Sequence, residues 1–246
     1  MSQKYHLLLD SSVILPYYVP EATKNAKCAG RIKVILDSVR NHRTNALCYI
    51  PNICVAEVIT NLDRQAYSKW DEQIYKLYGG PGKTLHTMRY RAARRKFFHD
   101  IHNGALFYQY ELNRYHILAL DLIGPVDKYR KYYRKRDQRS MGASDLLIGA
   151  MALHLKRLHS GDHFALLTAD RRMDAIFANA CPKLNKNTAK SLGLVKQAIE
   201  LGFEKWSPDL YPRVLDLERC NNASLINFFG EWPLRTRKLH GREPKA

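Results

Sequence analysis

The chain has no apolar run long enough to span a membrane; no stretch approaches the roughly 20 apolar residues that a bilayer requires. Its start, MSQKYHLLLD, has too short an apolar run for a secretory leader and no small-residue cleavage site. Cysteine is scarce. Cys28, Cys48, Cys54, Cys181 and Cys220 are odd in number and form no C-x-x-C, which fits a reducing cytoplasm better than a disulfide framework. Cys48 and Cys54 lie in apolar segments and read as small buried hydrophobes. Internal repeats and low-complexity segments are missing as well. Negative charge is in deficit: 23 acidic residues stand against 40 basic ones in 246 residues, a net charge of +17. That excess is silent on fold but favours a polyanionic partner, because each Lys or Arg set on a phosphate releases a condensed counterion. A merely solvated basic surface is the plainer alternative, and the clustering of the bases into runs speaks against it.

What is present has an alternating pattern. Tyr5 to Leu9, Leu47 to Ile50, Tyr115 to Leu120 and Phe164 to Leu167 are short apolar runs that read as strands. Asn25 to Val39, Asn52 to Leu62, Val126 to Asp137, Ser144 to Leu158 and Arg171 to Asn179 read as helices. Alternation of this kind predicts an α/β fold with a mainly parallel central sheet and helices on both faces. Residues 63–114 show no convincing strand and read as a mainly helical insertion in a domain spanning 1–205. Residues 206–246 form a C-terminal extension. Its aromatic part, with Trp206, Tyr211, Phe228, Phe229 and Trp232, is expected to pack on the domain, and its basic end to be disordered.

Four acids stand out. Asp10 and Asp170 each follow an apolar strand, the position where open α/β sheets bind ligands; a helix N-cap is the alternative. Glu57 sits among Ile53, Val55, Ala56, Val58 and Ile59, so it is at least partly buried and needs a partner, either a salt bridge or a metal. Asp145 opens a helix whose Gly149 and Ala152 would allow close packing on a sheet; an acid favoured by the helix dipole is the alternative. Asp174, one turn beyond Asp170, is a candidate further acid. Gathered together, these carboxylates would repel unless a hard divalent cation with oxygen ligands held them.

In this order, LLLDSSVIL, PNICVAEVITNL, GASDLLIGAMAL and LLTADRRM resemble the four motifs of PIN-domain nucleases, over roughly residues 5–180. The resemblance implies a Rossmann-like PIN fold, Mg²⁺ or Mn²⁺ as cofactor, and hydrolysis of phosphodiester bonds, usually in RNA. It implies that Asp10, Glu57, Asp145 and Asp170 bind the metal, and that Ser12 orients the first acid and its water. Many small members are toxins with an antitoxin protein as partner; the length, insertion and tail of this chain depart from those. RNA is the expected partner, with toxin and RNA-processing roles both open, an antitoxin and a homo-oligomer also open, and no membrane association. A non-catalytic RNA-binding or scaffold protein on the same fold is the competing reading, and the intact set of four acids weighs against it.

Two basic runs are candidates for the RNA path. In DKYRKYYRKRDQR, helical spacing puts Tyr129, Tyr132 and Tyr133 on one face, leaving Lys128, Lys131, Arg134 and Lys135 outward. RYRAARRK supplies Arg94 and Arg95, as a second wall or as a solvated helix face. GGPGKT at 79–84 lacks the first glycine and the preceding strand of a P-loop. The pairs His99/His102 and His159/His163 show no further zinc ligands nearby in sequence. Asp10 with Ser12 also lacks the second acid of an aspartyl-phosphate phosphatase.

Overall fold

The computed structural model describes residues 4–23, 25–67, 82–104, 106–129, 140–160 and 162–234, with side chains for all but 65–67 and 82–87 of these. In chain order the strands are β1 (Tyr5–Leu9), β2 (Ala46–Pro51), β3 (Phe107–Tyr110), β4 (His163–Thr168) and β5 (Arg213–Asp216). They form one sheet in the order β3-β2-β1-β4-β5, and every pairing is parallel. Leu7, Leu8, Leu9, Ala165, Leu166 and Leu167 are all fully buried. Successive strand side chains point to opposite faces, so both faces of the central pair are covered, as a parallel sheet requires. This is the expected α/β architecture.

The covering helices are α1 (Ser11–Tyr18), α2 (Ala26–Arg40), α3 (Asn52–Tyr67), α4 (Gly82–His102), α5 (Arg114–Ala119), α6 (Gly124–Tyr129), α7 (Ala143–Leu158), α8 (Arg171–Asp174), α9 (Lys186–Ser191), α10 (Leu194–Glu200) and α11 (Asn222–Phe229). Among the described residues, no helix is long and apolar enough to cross a membrane. Helix α4 packs along α3 and is pinned to the body by the buried Asp100, which accepts from the Tyr18 hydroxyl (2.5 Å) and pairs with the Arg40 guanidinium. Phe97, also on α4, is fully buried.

Three segments differ from expectation. Tyr115 to Leu120, expected as a strand, belongs to α5 and the turn after it. Asn113 decides this locally: its side chain accepts from the His116 N–H (3.3 Å), and His116 Nδ1 accepts from the Asn113 N–H (2.9 Å), a reciprocal cap that outweighs the β-propensity of the run. The strand lies earlier, at β3, inside the segment expected to be a mainly helical insertion without a convincing strand; as an edge strand it exposes Tyr108 and Gln109 and shows no continuous apolar run. After four residues of α8 the chain widens into a π-type segment over Ala175–Ala180, where one helix was expected.

The C-terminal aromatic residues do pack on the core. Tyr211 donates to the Leu122 carbonyl (2.9 Å), and Tyr5 donates to the Phe229 carbonyl (3.0 Å). This segment also supplies β5, which the sequence reading did not anticipate. The basic end after residue 234 and most of the run 127–139 lie outside the described residues.

The topology sets two chain reversals side by side. Leu9 pairs with Leu167, and the Asp10 N–H extends the ladder to the Leu167 carbonyl (3.1 Å). Asp10 therefore stands where β1 turns into α1, and Asp170 where β4 turns into α8, at the carboxyl ends of adjacent central strands.

Candidate metal centre at the carboxyl edge of the sheet

Asp10 is the deepest acid, only 5% exposed. Its Oδ2 accepts from Ser12 Oγ (2.5 Å) and Thr168 Oγ1 (2.8 Å). Ser12 reaches back because α1 starts directly after β1, and its Oγ also accepts from the Ala169 N–H (2.9 Å). Thr168 Oγ1 accepts from the Asp170 N–H (2.9 Å). Two hydroxyls thus tie the two strand ends together and orient one carboxylate. Burial pushes the Asp10 carboxyl up; the two hydroxyl hydrogen bonds oppose that rise, and the charges of Asp145 and Asp170 add to it.

Glu57 is half-buried on α3. Asp10, Cys54 and Glu57 each offer a ligand atom within 4.8 Å of the other two. Burial raises the Cys54 thiol well above its usual range, and the charges of Asp10 and Glu57 add to that, while Asp10 and Glu57 themselves offer oxygen donors. Among the described residues no ion pair engages Glu57, so the salt-bridge alternative finds no partner.

Asp145, in the first turn of α7, accepts from the Gly142 N–H (3.1 Å). Asp170 caps α8 by accepting from the Arg172 N–H (2.7 Å). The Arg172 guanidinium joins these two acids: Nη2 lies 2.5 Å from Asp170 Oδ2 and 3.1 Å from Asp145 Oδ2. Burial raises Asp145, with Asp170 and Glu57 adding to the rise against Gly142 and Arg172. Burial also acts to raise Asp170, but the hydrogen bonds and charge of Arg172 outweigh it and hold that carboxyl low. The four acids thus form one connected group, through the Asp10–Glu57 approach, the Thr168 hydroxyl and the Arg172 guanidinium. At Gly149, on the same helix as Asp145, the close neighbours are Phe177 and Ile123.

Asp174 lies one turn beyond Asp170, at the end of α8. Burial raises it, and its charged neighbours are Arg219 and Asp216 rather than the four acids. Lys128 is exposed and borders a cavity of about 550 Å³ together with Leu146, the residue after Asp145. Lys131, Arg134 and Lys135 lie outside the described residues. Arg94 pairs with Asp63 and lies over the Phe98 ring (4.6 Å), so it is engaged within the α3–α4 pair, while Arg95 is exposed. Sequence reasoning carried Thr168 only as part of the Thr-x-Asp motif, without a role, and passed over Arg172 and the placement of Cys54. The first two sit in the same LLTADRRM segment as Asp170, and their hydroxyl and guanidinium were the available signal.

A set of four carboxylates suits a hard divalent cation, and the Arg172 guanidinium places positive charge between two of them. No family model matches the chain, and no curated protein does. Among solved structures, the VapBC2 complex from Rickettsia felis bound to a DNA fragment from their promoter is similar in fold at a TM-score of 0.43 and 10% identity, covering 70% of this chain and 92% of that one.

Proposed function

We propose that this protein is a divalent-metal-dependent endoribonuclease of the PIN type that hydrolyses RNA phosphodiester bonds. The observation that carries the reading is the convergence of Asp10, Glu57, Asp145 and Asp170, from four separate segments, at the carboxyl edge of β1 and β4. Mg²⁺ or Mn²⁺ held there would supply the Lewis acidity that binds a phosphoryl oxygen and acidifies water. Asp10, Asp145 and Asp170 are the ligands in this reading, and Glu57 completes the shell or orients the attacking water. Ser12 and Thr168 hold Asp10 Oδ2 and so fix the orientation of that carboxylate. Lys128 is exposed, borders the same cavity as Leu146, the residue after Asp145, and would meet the RNA backbone, with Lys131, Arg134 and Lys135 beyond it in sequence. A toxin held by an antitoxin protein and an RNA-processing enzyme are two settings for the same chemistry.

The test is Asp10→Asn and Asp145→Asn, assayed on RNA with Mg²⁺ or Mn²⁺ and checked for folding by circular dichroism. Both should fold and lose cleavage. Near-normal cleavage by Asp145→Asn contradicts the assignment, and a folded, inactive wild type that binds RNA would move the scaffold reading ahead.

A further inference from the structure

At the amino edge of the sheet, four residues before Asp10 in β1, lies a second group of side chains. By sequence, His159 pairs only with His163; the fold gives it different company. His6 on β1 is 3% exposed, and its ring stacks on His159 with centroids 3.6 Å apart and planes 13° off parallel. The Tyr49 hydroxyl, from β2, lies 3.1 Å from His6 Nδ1 and 3.3 Å from His159 Nε2. His6 Nε2 lies 3.2 Å from Asp162 Oδ2. His6, His159 and Asp162 each present a ligand atom within 4.8 Å of the other two.

We propose that His6, His159 and Asp162 form a site for a borderline transition-metal cation, Zn²⁺, Ni²⁺ or Co²⁺, distinct from the acid cluster and independent of the ribonuclease reading. One hydroxyl engages one nitrogen of each ring. When the Tyr49 oxygen accepts from both rings, the protons sit on His6 Nδ1 and His159 Nε2, and lone pairs are left on His6 Nε2 and His159 Nδ1. A lone pair on His6 Nε2 then faces the Asp162 carboxylate, and a cation between them would bind both. Without metal the other tautomer serves: His6 Nε2–H donates to Asp162 and the Tyr49 hydroxyl donates to His6 Nδ1. Tyr49 thus takes the part of the outer hydrogen-bond partner that orients metal-binding histidines. Two imidazoles and one carboxylate suit zinc and its neighbours, and the exposed Asp162 leaves a position open to water.

The surroundings narrow the choice of ion. Lys156 and Arg213 line the adjoining cavity of about 210 Å³, and their charge disfavours hard, purely ionic binding. The Lys156 ammonium is also held by backbone carbonyls, among them that of Tyr211 (2.8 Å). Imidazole bonding with covalent character is what remains, so Mg²⁺ is not expected here. Two parallel rings cannot both direct a lone pair at one ion, so binding turns them apart, at a cost comparable to one aromatic pair.

The experiment uses the full, untagged chain, with excess Mg²⁺ present to fill the acid cluster. Zn²⁺ is titrated by calorimetry and Co²⁺ by visible absorption. About one equivalent of Zn²⁺ should bind, with a Co²⁺ band typical of coordination by nitrogen and oxygen. Asp162→Asn and His159→Gln, changes at an exposed and a half-buried side chain, should each weaken Zn²⁺ by roughly tenfold or more, and Tyr49→Phe by about tenfold. Wild type without Zn²⁺ binding, or unchanged Zn²⁺ affinity in Asp162→Asn and His159→Gln with their folds intact, would overturn the site.

Discussion

Arg172→Ala removes the guanidinium that closes Asp145 and Asp170. A divalent ion bound as proposed would compete with this guanidinium for the same two carboxylates, and the arginine would have to swing aside to admit it. Unit charges about 4 Å apart attract by about 4 kcal/mol at an effective dielectric near 20. The Arg172 side chain is 37% exposed, and solvent screening with the ordering of a long side chain takes away most of that. A net of about 1–2 kcal/mol remains for the two-acid contact. Deleting it should tighten Mn²⁺ by about tenfold, since about 1.4 kcal/mol is one decade. The same change should lower the melting temperature in chelator, where Asp145 and Asp170 lose the guanidinium they share, and enlarge the rise on adding Mn²⁺. Calorimetric titration of Mn²⁺ without RNA measures the first effect apart from catalysis. Equal or weaker Mn²⁺ binding by the variant would refute the competition; no Mn²⁺ binding by either protein would refute the metal centre.

Three further outcomes follow from the packing and charge. His116 is fully buried, with Nδ1 accepting from the Asn113 N–H, and burial, aided by His154, lowers its imidazole to about 4 from the ordinary 6.5. The unfolded chain therefore binds that proton more readily: stability is complete above the ordinary value and falls by about 2–3 kcal/mol as pH drops toward 4. Urea titrations should show His116→Gln losing much of this dependence between pH 6.5 and 5; equal slopes in both proteins would contradict it. A Cβ at Gly149 would sit 2.6 Å from Phe177 Cζ and 3.1 Å from Ile123 Cδ1, so Gly149→Ala should destabilise by about 1–3 kcal/mol despite its better helix propensity, and a raised urea midpoint would be the wrong result. Lys128→Glu should flatten the dependence of RNA affinity on salt by about one unit of slope or more, and an unchanged slope would put the RNA path elsewhere.

Much of the central sheet was legible because β1 and β4 are short continuous apolar runs closely followed by an acid, as strands buried on both faces read. The four acids were legible for the same reason: each sits at a strand end or on an apolar helix. The edge strands were not. β3 exposes half of its residues, and β5 is four residues long with Arg213 at its start, so neither carries a periodic signal strong enough to stand against helix. Tyr115 to Leu120 misled because six apolar and aromatic residues look like a strand until Asn113 is recognised as a cap. Arg172 was passed over because its role depends on Asp145, 27 positions earlier, and only the fold brings them together. The same holds for His6 and His159, which meet through the β1–β4 pairing.

RNA cleavage by protein stripped with EDTA, then supplied with Mn²⁺, tests the metal centre most directly. The carboxylate cluster predicts no cleavage after stripping, full return with Mn²⁺, and no return in Asp170→Asn at the same Mn²⁺ concentration. Cleavage that survives exhaustive chelation, or that Asp170→Asn retains, would contradict it.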